Sequence, residues 1–117
     1  MRTLIAAFVL LLAACSTTVG FAVRPGATLQ VRDASGTSRV GPDDPRHQAM
    51  ADWIARNQRG WSQLYATNPS GGISVTSGDW GLQFFGKAVY LNTAGHGMLT
   101  KDVEEADYAF LRSSAGK

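Results

Sequence analysis

The sequence predicts an α+β fold: a small antiparallel sheet packed against one amphipathic helix. Three observations predict it. Residues 73–91 alternate apolar and polar positions across two turn signals, Ser77-Gly78-Asp79 and Gly86-Lys87. From Pro45 to about Tyr65, apolar positions instead recur at helical spacing. Breaker clusters, Gly41-Pro42-Asp43-Asp44-Pro45 and Asn68-Pro69-Ser70-Gly71-Gly72, separate the two patterns.

Taken in order, residues 16–27 are rich in Ser, Thr and Gly with Pro25, and read as a tether in which Phe21 and Val23 could pair as a short edge strand. Thr28–Arg32 turns Leu29 and Val31 to one side, a strand signal, and Asp33-Ala34-Ser35-Gly36 turns the chain into a second strand, Thr37–Val40. Asp44 reads as an N-cap with Pro45 at the first helical position. Met50, Trp53, Ile54, Asn57, Trp61 and Leu64 then share one helix face, with Gly60 either ending the helix or tolerated before a last turn reaching Tyr65. Trp53 and Trp61, about two turns apart, are expected to point the same way. Ile73 and Val75 open a three-stranded meander; Trp80, Leu82 and Phe84 form the inner face of its second strand, and Val89 and Leu91 that of its third, Ala88–Thr93. A Gly95-His96-Gly97 loop follows. Thr100 is expected to cap a short C-terminal helix with Val103, Ala106 and Phe110 on one face.

At 117 residues the chain holds one domain. Setting Arg2 aside leaves ten Lys+Arg against nine Asp+Glu, with no basic cluster, which argues against nucleic acid as a partner. The one cysteine, Cys15, allows no internal disulfide, so packing alone must hold the fold.

The N-terminus has three parts: a positive start at Arg2, an apolar run over Leu4–Leu12, and small residues before Cys15. The run is roughly ten residues, half of the about 20 that a membrane-spanning helix needs. Leu12-Ala13-Ala14-Cys15 resembles the lipobox of bacterial lipoproteins. The resemblance implies a diacylglyceryl group on the Cys15 thiol, cleavage before Cys15 and acylation of the new amine. Ser16 stands where an Asp would be the inner-membrane retention signal in enteric-type bacteria, so the implied address is the outer membrane, facing the periplasm. The organisation is then a signal peptide over 1–14, lipidated Cys15 and tether over 15–27, one domain over 28–112 and a tail over 113–117. The spacing Trp53-x-x-x-Asn57-x-x-Gly60-Trp61, followed by Gly-Ile and Leu-x-Phe-x-Gly, is also similar to that of small uncharacterised lipoproteins of Gram-negative bacteria, over residues 50–91.

Candidate chemistry is sparse. Gly81–Lys87 matches the first seven positions of a phosphate-binding P-loop, but Ala88 follows where a hydroxyl would hold magnesium, and the intervening residues are strand formers. No nucleotide is expected. His47 and His96 fall in different elements, His47 on the helix surface and His96 in a loop, so no metal and no cofactor are expected. Ser70, Ser74, His96 and Asp102 lack any recognised nucleophile context. The acidic run around Glu104, Glu105 and Asp107 suits a solvated helix face, and its N-terminal end suits the positive end of the helix.

The function expected is a non-enzymatic, membrane-anchored protein-binding module of the envelope: an inhibitor, an immunity protein or an accessory subunit. Phe85 and Tyr90 are its candidate contact residues, since aromatic groups on a one-layer sheet mark a binding surface, and Trp61, otherwise the helix side of the core, is a third if an edge of the helical aromatic row stays exposed. The alternatives are a small periplasmic hydrolase using His96 and a structural envelope spacer.

Overall fold

The computed structural model describes residues 17–64 and 71–113. The expected signal peptide, Cys15, Tyr65 and most of the tail lie outside them. Within them the fold is α+β but dominated by sheet. Seven strands form one antiparallel sheet: β1 Leu29–Asp33, β2 Gly36–Val40, β3 Ser62–Gln63, β4 Ile73–Thr76, β5 Trp80–Phe85, β6 Ala88–Thr93 and β7 Gly97–Asp102. Their order across the sheet is β2-β1-β4-β5-β6-β7-β3. Helix α1 spans Pro45–Arg56, and a 3₁₀ turn over Glu105–Tyr108 leads into the short helix α2, Ala109–Ser113.

The alternation seen in the sequence becomes the two faces of this sheet. Cross-strand partners share a face, and the register aligns Val31, Val75, Leu82, Leu91 and Leu99 across five strands. Leu29, Ile73, Phe84 and Val89 flank that row, all buried. Met50, Trp53 and Ile54 of α1 belong to the same core cluster, with the Trp53 ring edge-on to Phe84 at 5.1 Å between centroids. Tyr108 stacks on the same Phe84 at 4.8 Å and donates its hydroxyl to the Gly86 carbonyl at 2.7 Å. Gly86, with φ +61, makes the tight β5–β6 turn that this hydroxyl ties down.

Four expectations are corrected. Helix α1 ends at Arg56 rather than near Tyr65, because Asn57 leaves helical geometry and its side-chain amide donates to the Trp53 carbonyl. The chain then turns at Gly60, φ +85, so Trp61 reaches the core from the start of β3 and not from the helix. Its indole N–H donates to the Asn57 carbonyl at 2.7 Å, satisfying the polar end of a fully buried ring.

Thr100 caps no helix. It lies in β7, a fourth meander strand, and pairs with Tyr90. The 3₁₀ turn starts after Glu104, whose backbone N–H is held by the Asp107 carboxylate at 3.0 Å.

Residues 17–27 are not a free tether. Thr17 and Trp61 exchange backbone hydrogen bonds at 2.8 and 3.2 Å, and Val19 donates to the Gln58 carbonyl at 2.7 Å. Val19 and Phe21 are buried, and the Phe21 ring sits edge-on between Trp61 and Trp80. Gln58 accepts from the Phe21 N–H and donates to the carbonyls of Phe21 and Ile54. The Trp80 indole donates to the Ala22 carbonyl at 3.0 Å. The folded domain therefore begins by Thr17, not at residue 28.

His47, expected on the helix surface, is buried. Its Nε2 donates to the Ala27 carbonyl at 2.7 Å, which fastens the start of α1 to the approach of β1.

At the head of α1, Asp44 accepts from the Arg46 N–H at 2.9 Å and pairs with the Arg46 guanidinium at 2.9 Å. The guanidinium bond, helped by the backbone N–H, holds the Asp44 carboxyl below its ordinary value. A carboxyl with a lowered folded pKa stabilises fully above its unfolded pKa of about 3.9, and loses that contribution as pH falls through the lower folded value. Asp44→Ala should cost about 1 kcal/mol at neutral pH, and chemical denaturation should show the difference from wild type shrinking below about pH 4.

Removing core aromatics should cost more. Trp53→Ala should lower stability by about 3–5 kcal/mol, and Phe21→Ala by about 3 kcal/mol, read from the denaturation midpoint. An unchanged midpoint for Phe21→Ala would mean that residues 17–27 are no part of the folding unit.

Candidate functional site

Trp53 of α1, Tyr108 of the 3₁₀ turn and Phe21 of the N-terminal segment meet Phe84 and Trp80 on the inner side of β5. The outward positions of the strands make up the other side. Two rows cross it: Arg32, Ser74, Gln83, Tyr90, Thr100 and Ser62, and beside them Arg39, Gln30, Thr76, Gly81, Asn92 and Met98. Phe85, Ala88 and Asp102 continue the face toward the β5–β6 turn. Each residue is placed by the same alternation that buries its neighbours.

Gly81 shapes the middle of this face. Lacking a side chain between Thr76 and Asn92, it leaves a shallow depression of about 170 Å³ bordered by Ser74, Gln83, Tyr90 and Met98. A second depression of about 350 Å³ adjoins it over Gln30, Arg32 and Thr37, sharing Ser74 and Thr76. Gln83 is fixed by donation to the Gly71 carbonyl at 2.8 Å, and the Thr100 hydroxyl donates to the Val89 carbonyl at 3.2 Å. Tyr90 and Met98 are half-buried; Phe85, at 43% exposure, is the large hydrophobic side chain left open among the described residues. Arg32 and Arg39 make the β1–β2 end positive, and Asp102 lies at the opposite corner.

Phe85 and Tyr90 thus stand on one continuous face. Trp61 does not join them: it is fully buried on the other side, between Phe21 and Trp53, and is withdrawn as a contact residue. Arg32 and Met98 carried no signal of their own in the sequence, and Gly81 stood out only as the start of the Gly81–Lys87 match. Their signal was present in the outward register of strands assigned by their inward residues, although β7 itself carries little strand signal.

Among the described residues, this face offers hydrogen-bonding and apolar contact. The two depressions are lined by hydroxyls, amides, one phenol and one guanidinium. His96 is exposed in the β6–β7 turn and Asp102 ends β7, so the whole strand, about 20 Å, separates them. Ser74 lies three strands from β7, and Ser70 is outside the described residues. Among the described residues, no group of three or more His, Cys, Asp or Glu is placed to hold a metal ion. Residues 81–87 form β5 and a hairpin turn, with β5 paired on both edges, so its backbone N–H groups are not a phosphate cradle. No helix of the described residues is long and apolar enough to cross a membrane. No protein-family model, curated protein or solved structure matches this chain.

Proposed function

We propose that this protein is a lipid-anchored component of the bacterial envelope that binds a protein partner through the open face of its sheet. The observation that carries the reading is the one-sided sheet: outward residues of seven strands form a continuous surface with Tyr90, Phe85 and Met98 set among hydroxyls and amides. Seven strands at about 4.8 Å spacing and six-residue strands give roughly 29 by 20 Å, the scale of the about 800 Å² that each partner buries in a standard interface. The depression at Gly81, about 170 Å³, is smaller than the roughly 300–1,000 Å³ of small-molecule pockets, and suits one inserted side chain. Arg32 and Arg39 favour a partner with a carboxylate opposite the β1–β2 end. The anchor is supported by the lipobox resemblance at Leu12-Ala13-Ala14-Cys15 and by the short apolar run before it.

Cys15→Ser should abolish acylation and processing, leaving a precursor of higher apparent mass in a membrane fraction. A normally sized product of that variant would sink the lipoprotein reading.

Affinity capture from solubilised membranes should recover a defined partner with the wild-type chain. Tyr90→Ala should lose at least tenfold in capture, since central aromatic anchors carry about 2 kcal/mol or more, and Phe85→Ala should lose less, because it lies at the rim. His96→Ala is the control and should bind as wild type. His47→Ala cannot serve, because it breaks the bond to Ala27 inside the fold. Loss of function by a folded His96→Ala protein, with Tyr90→Ala unaffected, would favour a hydrolase instead.

A further inference from the structure

We infer that the domain rests on an anionic phospholipid surface along its β3–β7 edge, through Arg56, Arg59 and Lys101. The inference rests on the lipidation of Cys15 proposed above. The first observation is the packing of residues 17–21. Thr17 is paired with Trp61 beside β3, and Val19 with Gln58. Two residues of chain span at most about 7 Å, so a lipid on Cys15 would hold the Thr17–Trp61 corner at the membrane. A free tether of 12 residues would have left every orientation open; this attachment does not.

The second observation is the charge at that corner. Arg56 ends α1, and Arg59 lies in the turn that leads to Trp61; both are exposed. Lys101 sits at the same place from β7: its ammonium donates to the Arg59 carbonyl and lies 5.9 Å from the centre of the Trp61 ring. Arg24, Arg46 and Arg112 are neutralised by Asp79, Asp44 and Glu105, but no ion pair among the described residues engages Arg56, Arg59 or Lys101. Two acids lie near these cations in the chain, and of them Asp52 keeps an exposed negative charge one turn from Arg56. Asp52, one turn back on α1, accepts from the Gln48 amide at 2.9 Å, and Asp102 projects from the opposite side of β7 from Lys101. Three cations without an ion-pair partner, against one nearby carboxylate, leave this corner of the fold net positive. Each net positive charge held at an anionic surface adds about fivefold to partitioning, so a net of two favours this orientation by on the order of twentyfold. Strand β2 then stands about 29 Å away across the sheet, which puts Arg32 and Arg39 at the far end of the open face.

The test uses the full-length lipidated protein, extracted from membranes and reconstituted into vesicles of phosphatidylcholine alone or with one part in three of phosphatidylglycerol. The sequence has a single cysteine, and lipid occupies its thiol, so a thiol-reactive fluorophore reports Ser62→Cys on β3 or Thr37→Cys on β2 cleanly. With a quencher carried on lipid headgroups, the β3 label should be quenched in anionic vesicles and the β2 label should not. In the Arg56→Gln/Arg59→Gln/Lys101→Gln variant, or in neutral vesicles, the contrast should fall severalfold, to what the short link from Cys15 imposes by itself, while the lipid stays on Cys15. Equal quenching of both labels in anionic vesicles would overturn the orientation, and a contrast undiminished by loss of the three charges would overturn the role of Arg56, Arg59 and Lys101. Mass spectrometry separates the two readings: a Cys15 without the diacylglyceryl group would end both, whereas an acylated protein with equal quenching ends only this one.

Discussion

A sheet seven strands wide has more inner surface than a twelve-residue helix can cover, and the rest of the structure follows from that mismatch. Helix α1 is about 18 Å long, whereas the sheet is about 29 Å across. Apolar side chains at both ends of β5 would face water if the helix were the sole cover. Tyr108 closes one end, stacked on Phe84 and tied to the turn at Gly86. Phe21 closes the other, wedged between Trp61 and Trp80. The segments that looked least like structure in the sequence are thus the ones that complete the core.

Those covering segments bring backbone polar groups over an apolar sheet, and each needs a partner. Gln58 meets most of that need at one end by bonding both backbone groups of Phe21 as well as the Ile54 carbonyl. The two buried indoles that flank Phe21 donate to main-chain carbonyls of Asn57 and Ala22. Among the described residues, no buried side-chain nitrogen or oxygen lacks a partner. An aromatic cluster can therefore hold the N-terminal residues in place without leaving a polar group stranded.

Where periodicity was carried by large apolar residues, it was legible. The strands over Leu29–Val31, Ile73–Val75, Trp80–Phe84 and Val89–Leu91 could be read because each places two or more buried residues at alternate positions. Strand β7 could not, since Leu99 is its one buried residue and Thr100 imitates a cap. Trp61 was read as helical because eight residues from Trp53 is a helical repeat; Gly60 and the Asn57 cap, local backbone effects, override that spacing. Burial of Val19 and Phe21 was hidden by their Ser, Thr and Gly neighbours, and burial of His47 by the absence of any sign of its carbonyl partner. The candidate site was half legible. Phe85 and Tyr90 share the open face, but the depression between them and Arg32 depends on register across β4, β5 and β6, which one strand's sequence does not specify.

The same N-terminal residues would link the proposed anchor to the fold. Thr17, Val19 and Phe21 are core and cover, and they follow the proposed lipid attachment almost directly. In a protein with a long tether, the domain can lose its structure without the membrane feeling it, and the tether can be cut without the domain feeling it. Here the Thr17–Trp61 pairing makes the two events share residues. A pull on the anchor would load the Thr17, Val19 and Phe21 contacts first, whereas Tyr90, Asn92 and Arg32 sit on strands β6 and β1, within the sheet and joined to neighbours on both sides. The open face is thereby carried by the part of the fold that the anchor disturbs least. Such a division would suit the proposed function, a surface that keeps its shape for a partner while the proposed anchor holds the other end.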